Sequence, residues 1–202
     1  MHETVSAAQT GLLIVDLQND FLHPDGAYGR AGQTAAEIAE LPERLAPLAD
    51  QMRAAGSWII STQFTLVPLK GGEPLISPHL KALRPFLAKG DFVPGSWGHS
   101  LVDRLAPADI NIEKVAYSAF YMTRLEWVLR KCDIRKLIVC GIVTNGGVAS
   151  TVRDAHVRDF DVTVLSDGCA AFSADVHETA IAALKPVCRV ATIADMLAQT
   201  TA

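Results

Sequence analysis

Short apolar runs alternate along the chain with longer stretches of helical periodicity. The runs are Gly11–Leu17, Trp58–Thr62, Ile110–Lys114, Leu137–Gly141, Val162–Ser166 and Val187–Ala191. Several are apolar without a break, the mark of parallel strands covered on both faces. Between them, residues 34–55 carry Ile38, Leu41, Leu45, Leu48 and Met52 at helical spacing and stop at Gly56, a C-cap. Residues 122–132, 147–159 and 174–184 repeat the helical pattern. This order predicts an α/β fold, a doubly wound parallel sheet with right-handed crossovers. Residues 64–100 differ: Pro68, Gly71, Gly72, Pro74, Pro78, Pro85, Pro94 and Gly95 leave room only for a short helix near 79–88. Insertions of that length in compact domains are often functional. No internal repeat, linker or low-complexity tract is visible.

Composition narrows the picture. A chain of 202 residues suits one domain, 1–202, on a prior of roughly 150 residues per domain. Half of it is hydrophobic, which excludes a disordered chain. A net charge of −4 argues against a nucleic-acid surface, whose footprint is a basic excess. A mean hydropathy of +0.22 fits either a well-filled α/β core or an apolar oligomer interface. No apolar run approaches the roughly 20 residues that span a bilayer, and Met1–Thr4 shows no start of a secretory signal. Cys132, Cys140, Cys169 and Cys188 form no C-x-x-C pair. They read as reduced thiols of a cytoplasmic protein, and they leave thiol catalysis open.

Ligands of open parallel sheets bind outside the carboxyl ends of the strands. There the chain places Asp16 and then Gln18-Asn19-Asp20-Phe21, Gln63 after the second run, Lys114 after the third, and Thr144-Asn145-Gly146-Gly147 after the fourth. An acid in an apolar strand is costly unless paired or functional. Asp16 is therefore a buried structural carboxylate or a catalytic one, and Lys114 is its natural partner, shifting the proton affinities of both. Gly146 and Gly147 open a helix whose N–H groups could hold an oxyanion, or they form a mere tight turn. Trp97 either lines a pocket or packs within its loop. The histidines at 2, 23, 79, 99, 156 and 177 show no metal-ligand spacing; His156 and His177 read as capping or packing residues. There is no G-x-G-x-x-G, Walker, H-E-x-x-H or G-x-S-x-G motif.

Leu13–Phe21 resembles the opening strand of the isochorismatase-like hydrolases, the cysteine hydrolase superfamily. Glu113–Phe120 around Lys114, Gly141-Ile142-Val143-Thr144-Asn145, Ser150–Ala155 and Val164–Ala171 followed by His177 are similar to its later blocks. The resemblance implies a Rossmann-like three-layer α/β/α sandwich with a six-stranded parallel sheet, in a homodimer or higher homo-oligomer. It implies catalytic roles for Asp16 and Lys114, and a cis peptide near Ile142-Val143. The nucleophilic Cys of the thiol branch falls on Gly147, which has no side chain to attack with. The isochorismatase branch also lacks this thiol: there the Asp protonates the substrate, water attacks, and a Gln matching Gln63 assists. Val143 and Asn145 stand where true isochorismatases carry a Tyr and a His. Gln63–Pro68 offers no Asp/His set for a nicotinamidase-type metal, so neither metal nor cofactor is expected.

The reading that results is a thiol-independent hydrolase of a small anionic molecule. Asp16 is acid or base, Lys114 its charge partner, and Phe21, Gln63, Trp97, Asn145, Gly146 and Gly147 contact substrate or water. Two alternatives remain: an inactive binding or assembly protein on the same scaffold, and an amidase whose nucleophile has moved to Cys169.

Overall fold

The computed structural model describes residues 6–199; the N-terminal tetrapeptide read for a leader lies outside them. Six strands form one parallel sheet: β1 (Thr10–Val15), β2 (Trp58–Phe64), β3 (Ile110–Lys114), β4 (Lys136–Ile142), β5 (Asp161–Ala170) and β6 (Arg189–Ala191). Their order is β3-β2-β1-β4-β5-β6. The order reverses between β1 and β4, the place where a doubly wound sheet opens a crevice.

The helices among the described residues are α1 (Asn19–Leu22), α2 (Ala27–Arg30), α3 (Ala36–Ala39), α4 (Leu41–Ala54), α5 (Pro78–Leu83), α6 (Leu125–Lys131), α7 (Ala149–His156), α8 (Ala174–Leu184) and α9 (Ile193–Gln199). Helix α4 stops where its sequence predicts. Gly56 takes φ +81°, its N–H donates to Arg53 O, and Ser57 N–H donates to Met52 O, the paired bonds of a Schellman cap. The run read as one helix over 34–55 is two, α3 and α4, with Pro42 in the first turn of the second. Strand β5 runs four residues past its predicted end, through a register shift opposite β4.

Each face of the sheet carries its own core. Leu12, Ile14, Ile59 and Cys140 pack under α4 and α9. Leu13, Val15, Ile60 and Ile112 pack under α6 and α7. Successive strand residues point to opposite faces, so parity decides what a polar residue at a strand end can reach. Gly141 lets β4 pass close to β1: it takes φ +117°, and a Cβ there would stand 2.1 Å from Val15 O.

The polar triplet after β1 fastens the 64–100 insertion to the sheet. The Gln18 side chain donates to Phe64 O and His99 O and accepts from Phe64 N–H. Asn19 donates to Trp97 O. Buried Asp20 accepts from the N–H groups of Ala27 and Phe92. Beneath this clamp, Phe21, Tyr28, Phe64, Phe86 and Phe92 gather into a third apolar cluster.

Candidate active site

Asp16 follows β1 with φ +57°, a left-handed conformation uncommon for residues other than glycine. Its carboxyl is buried. Lys114 Nζ, also buried, stands 2.6 Å from Asp16 Oδ2, and Thr62 Oγ1 donates to Asp16 Oδ1 at 2.8 Å. Lys114 donates a further bond to Ala116 O at 3.0 Å. Thr62, Phe64 and Lys114 share the face of the sheet that carries Ile60 and Ile112, which is why strands β2 and β3 both reach Asp16. Burial raises the Asp16 pKa, and the charge and hydrogen bond of Lys114 oppose the rise.

Beyond Ile142–Val143, whose peptide is cis, residues Thr144–Val148 wind as one π turn into α7. Gly147 sits in this turn directly over Asp16. A Cβ on Gly147 would lie 3.3 Å from Asp16 Oδ2, 3.3 Å from Val15 Cγ1 and 3.0 Å from Ile142 O. The turn thus holds Gly147 so near the carboxyl that even a Cβ would crowd it.

Asp16, Lys114 and Gly147 form the polar end of a cavity of about 290 Å³. Its walls are mainly apolar: Phe21, Tyr28, Phe64 and Phe172 on one side, Val115, Tyr117 and Val143 on another, and Leu80, Leu83 and Arg84 from α5 and its end. Tyr28 stacks on Phe172 with ring centroids 5.8 Å apart, and burial raises its phenol pKa.

The cavity brings together Asp16, Lys114, Phe21 and Gly147 of the residues expected to act there. The others lie elsewhere. Gln63 has the opposite parity to Phe64. Its amide turns to the other face of the sheet, where it donates to Ser61 Oγ and Asn111 Oδ1 beside His99; placing it against substrate at Asp16 does not fit. Trp97 is half exposed and meets His23 edge-on at 4.9 Å, outside the cavity. Asn145 is exposed in a groove with Arg153 and Asp175. Gly146 faces the ring of Tyr117, 3.4 Å from where its Cβ would be. Its N–H donates to Val143 O at 2.9 Å, so that amide is not free to hold an oxyanion. Cys169 packs in the core under α7, and burial pushes its thiol far up. A thiol so placed is inert, which removes the relocated nucleophile.

Tyr28, Arg84, Tyr117 and Phe172 line the cavity without having been singled out in the sequence. They come from irregular segments or element ends, where periodicity carries no signal. Among the described residues no group of three His, Cys, Asp or Glu side chains could hold a metal ion.

These features match a known class of fold. The isochorismatase domain model covers residues 10–195. The ureidoacrylate amidohydrolase RutB of Methylorubrum extorquens is 36% identical over 173 residues, 80% of this chain and 69% of that protein. Its counterpart in Caulobacter vibrioides is 33% identical over 175 residues, 81% and 77% of the two chains. A cysteine hydrolase from Pseudomonas syringae superposes with a TM-score of 0.81 at 25% identity, covering 100% of this chain and 99% of that one. N-carbamoylsarcosine amidase from Thermoplasma acidophilum shares the fold, with a TM-score of 0.71 at 21% identity over 92% and 96% of the chains. The chain belongs to the isochorismatase family and is a hydrolase of that superfamily. No helix among the described residues is long and apolar enough to cross a membrane.

Proposed function

We propose that this hydrolase cleaves a small anionic molecule without a covalent enzyme intermediate. Asp16 moves the proton, and water attacks from the cavity in front of Gly147. The observation that carries the reading is the bare turn: a side-chain nucleophile on it would begin 3.3 Å from Asp16 Oδ2, and the chain has only a hydrogen there. With no side chain on Gly147, the cavity that it and Asp16 both line leaves a water access to the carboxyl.

The steps balance. Protonated Asp16 gives its proton to the substrate and becomes a carboxylate that Lys114 stabilises. The water oxygen bonds to the electrophilic carbon, and the bond from that carbon to the leaving group breaks. Asp16 takes back one proton from the water. Burial favours the protonated form and Lys114 the ionised form, so the carboxyl is suited to both halves of the cycle. The related ureidoacrylate amidohydrolases direct the search to ureido and amide acids, with imides and enol ethers beside them.

The test is a screen of those four classes for turnover and for ligand-induced melting shifts. Asp16→Asn should cut turnover of the substrate found by at least about 10²-fold on the general acid–base scale. Gly147→Ala, which sets a methyl 3.3 Å from Asp16 Oδ2 and crowds it, should cut it to a similar degree while circular dichroism shows the native fold. Full activity in either folded variant would sink the reading. A ligand that raises the melting temperature and is never turned over would favour a binding protein instead.

A further inference from the structure

The cavity carries a second cation that the proton chemistry does not use. Arg84 ends α5 on the cavity wall. Its Nε donates to Tyr28 Oη at 3.0 Å and its Nη1 to Leu83 O at 3.0 Å. Those two bonds fix the plane of the guanidinium. Nη2 has no hydrogen-bond partner and no carboxylate stands within 4 Å of the group, both among the described residues. Of the groups that line the cavity, Asp16 carries the one carboxylate, and Lys114 already answers it. Arg84 is a partly buried charge whose side-chain partners are neutral.

We infer that Arg84 is the anion receptor of this cavity, and that the substrate is a flat, largely apolar acid. Its carboxylate meets the free edge of Arg84, and its reacting atom lies at Asp16. This rests on the cavity being the substrate site, as proposed above. The walls give the second half of the class. Phe21, Phe64, Tyr28 and Phe172 present ring faces and edges, which favour a planar unsaturated body. A guanidinium fork matches a carboxylate in a way that an ammonium does not.

Binding separates this inference from the hydrolytic one. The probes are trans-cinnamate and cinnamamide, which share a planar body and differ in charge, titrated calorimetrically against the wild-type chain and variants. The wild type should bind the acid at least about tenfold more tightly than the amide, the scale of one charge-assisted contact. Arg84→Met should abolish that preference with the amide's affinity unchanged, and Arg84→Lys should restore part of it. Tyr28→Phe, which removes the phenol oxygen and leaves the guanidinium, should keep the preference.

Asp16→Asn should also keep it, because the acid is held at the other end. Equal affinity of the wild type for both probes would overturn the inference. So would an Arg84→Met variant that loses acid and amide alike, which would make Arg84 a strut for α5. If the preference stands and no substrate is ever turned over, hydrolysis fails and the receptor remains. If Arg84→Met turns over acidic and neutral substrates like the wild type, the receptor fails and hydrolysis remains.

Discussion

Burying a carboxyl beside a lysine places two opposed demands on its proton. Burial, the larger influence, holds the proton on Asp16 more tightly than in the unfolded chain; Lys114 works against it. Between the ordinary value of 3.8 and the raised one, the native state binds a proton that the unfolded state has released. This group's contribution to stability is therefore complete below the ordinary value and lost as pH rises through the raised one. Catalysis should follow the same titration. With Asp16 as proton donor, kcat/KM should fall with a single deprotonation centred above 3.8, and a profile flat from about pH 4 to 9 would remove the donor role. Asp16 and Lys114 were legible in the sequence because charge in an apolar strand demands a reason. Gln63 was not. Strand β2 is buried on both faces and its residues Ser61, Thr62 and Gln63 put polar groups on both, so no alternation marked which face each residue takes, and one step of parity sent Gln63 away and Phe64 inward.

The elements divide between those whose ends were written in residue type and those set by partners far along the chain. Helix α4 ends at Gly56 by its own chemistry, and α8 keeps the predicted span of 174–184. The insertion reads as irregular, and what shapes it is the clamp after β1. Gln18, Asn19 and Asp20 look in the sequence like candidates for chemistry, and their side chains are spent on backbone groups of the insertion or its edges. Asp20 is the strongest member, a buried carboxylate accepting from Ala27 and Phe92 N–H groups. Asp20→Ala strands two buried donors, at about 1–3 kcal/mol each. Urea denaturation should show a loss of about 3 kcal/mol, with faster amide exchange across residues 86–98. A loss below about 1 kcal/mol would show that other contacts hold the insertion.

For the whole molecule, alternating runs and helices were enough to foresee a doubly wound parallel sheet, because strand-helix order and crossover handedness leave few topologies; the family resemblance supplied its six strands. The cavity's full wall was beyond reach, since Tyr28, Arg84, Tyr117 and Phe172 meet only once distant loops converge. The same topology sets where sulfur goes. Cys140 and Cys169 sit one on each side of the sheet, buried, with their thiols pushed up. Cys132 and Cys188 pack at the edge of one core. None of the four lines the cavity. A hydrolase that attacks through a thiolate is silenced when that sulfur is oxidised or alkylated; this chain keeps no sulfur in the cavity where we propose that the reaction happens. Treated with peroxide or iodoacetamide under native conditions, it should retain its turnover, and inactivation at the rate of an exposed thiolate would contradict that. On the proposed mechanism, glycine over Asp16 exchanges a tethered nucleophile for tolerance of oxidising surroundings.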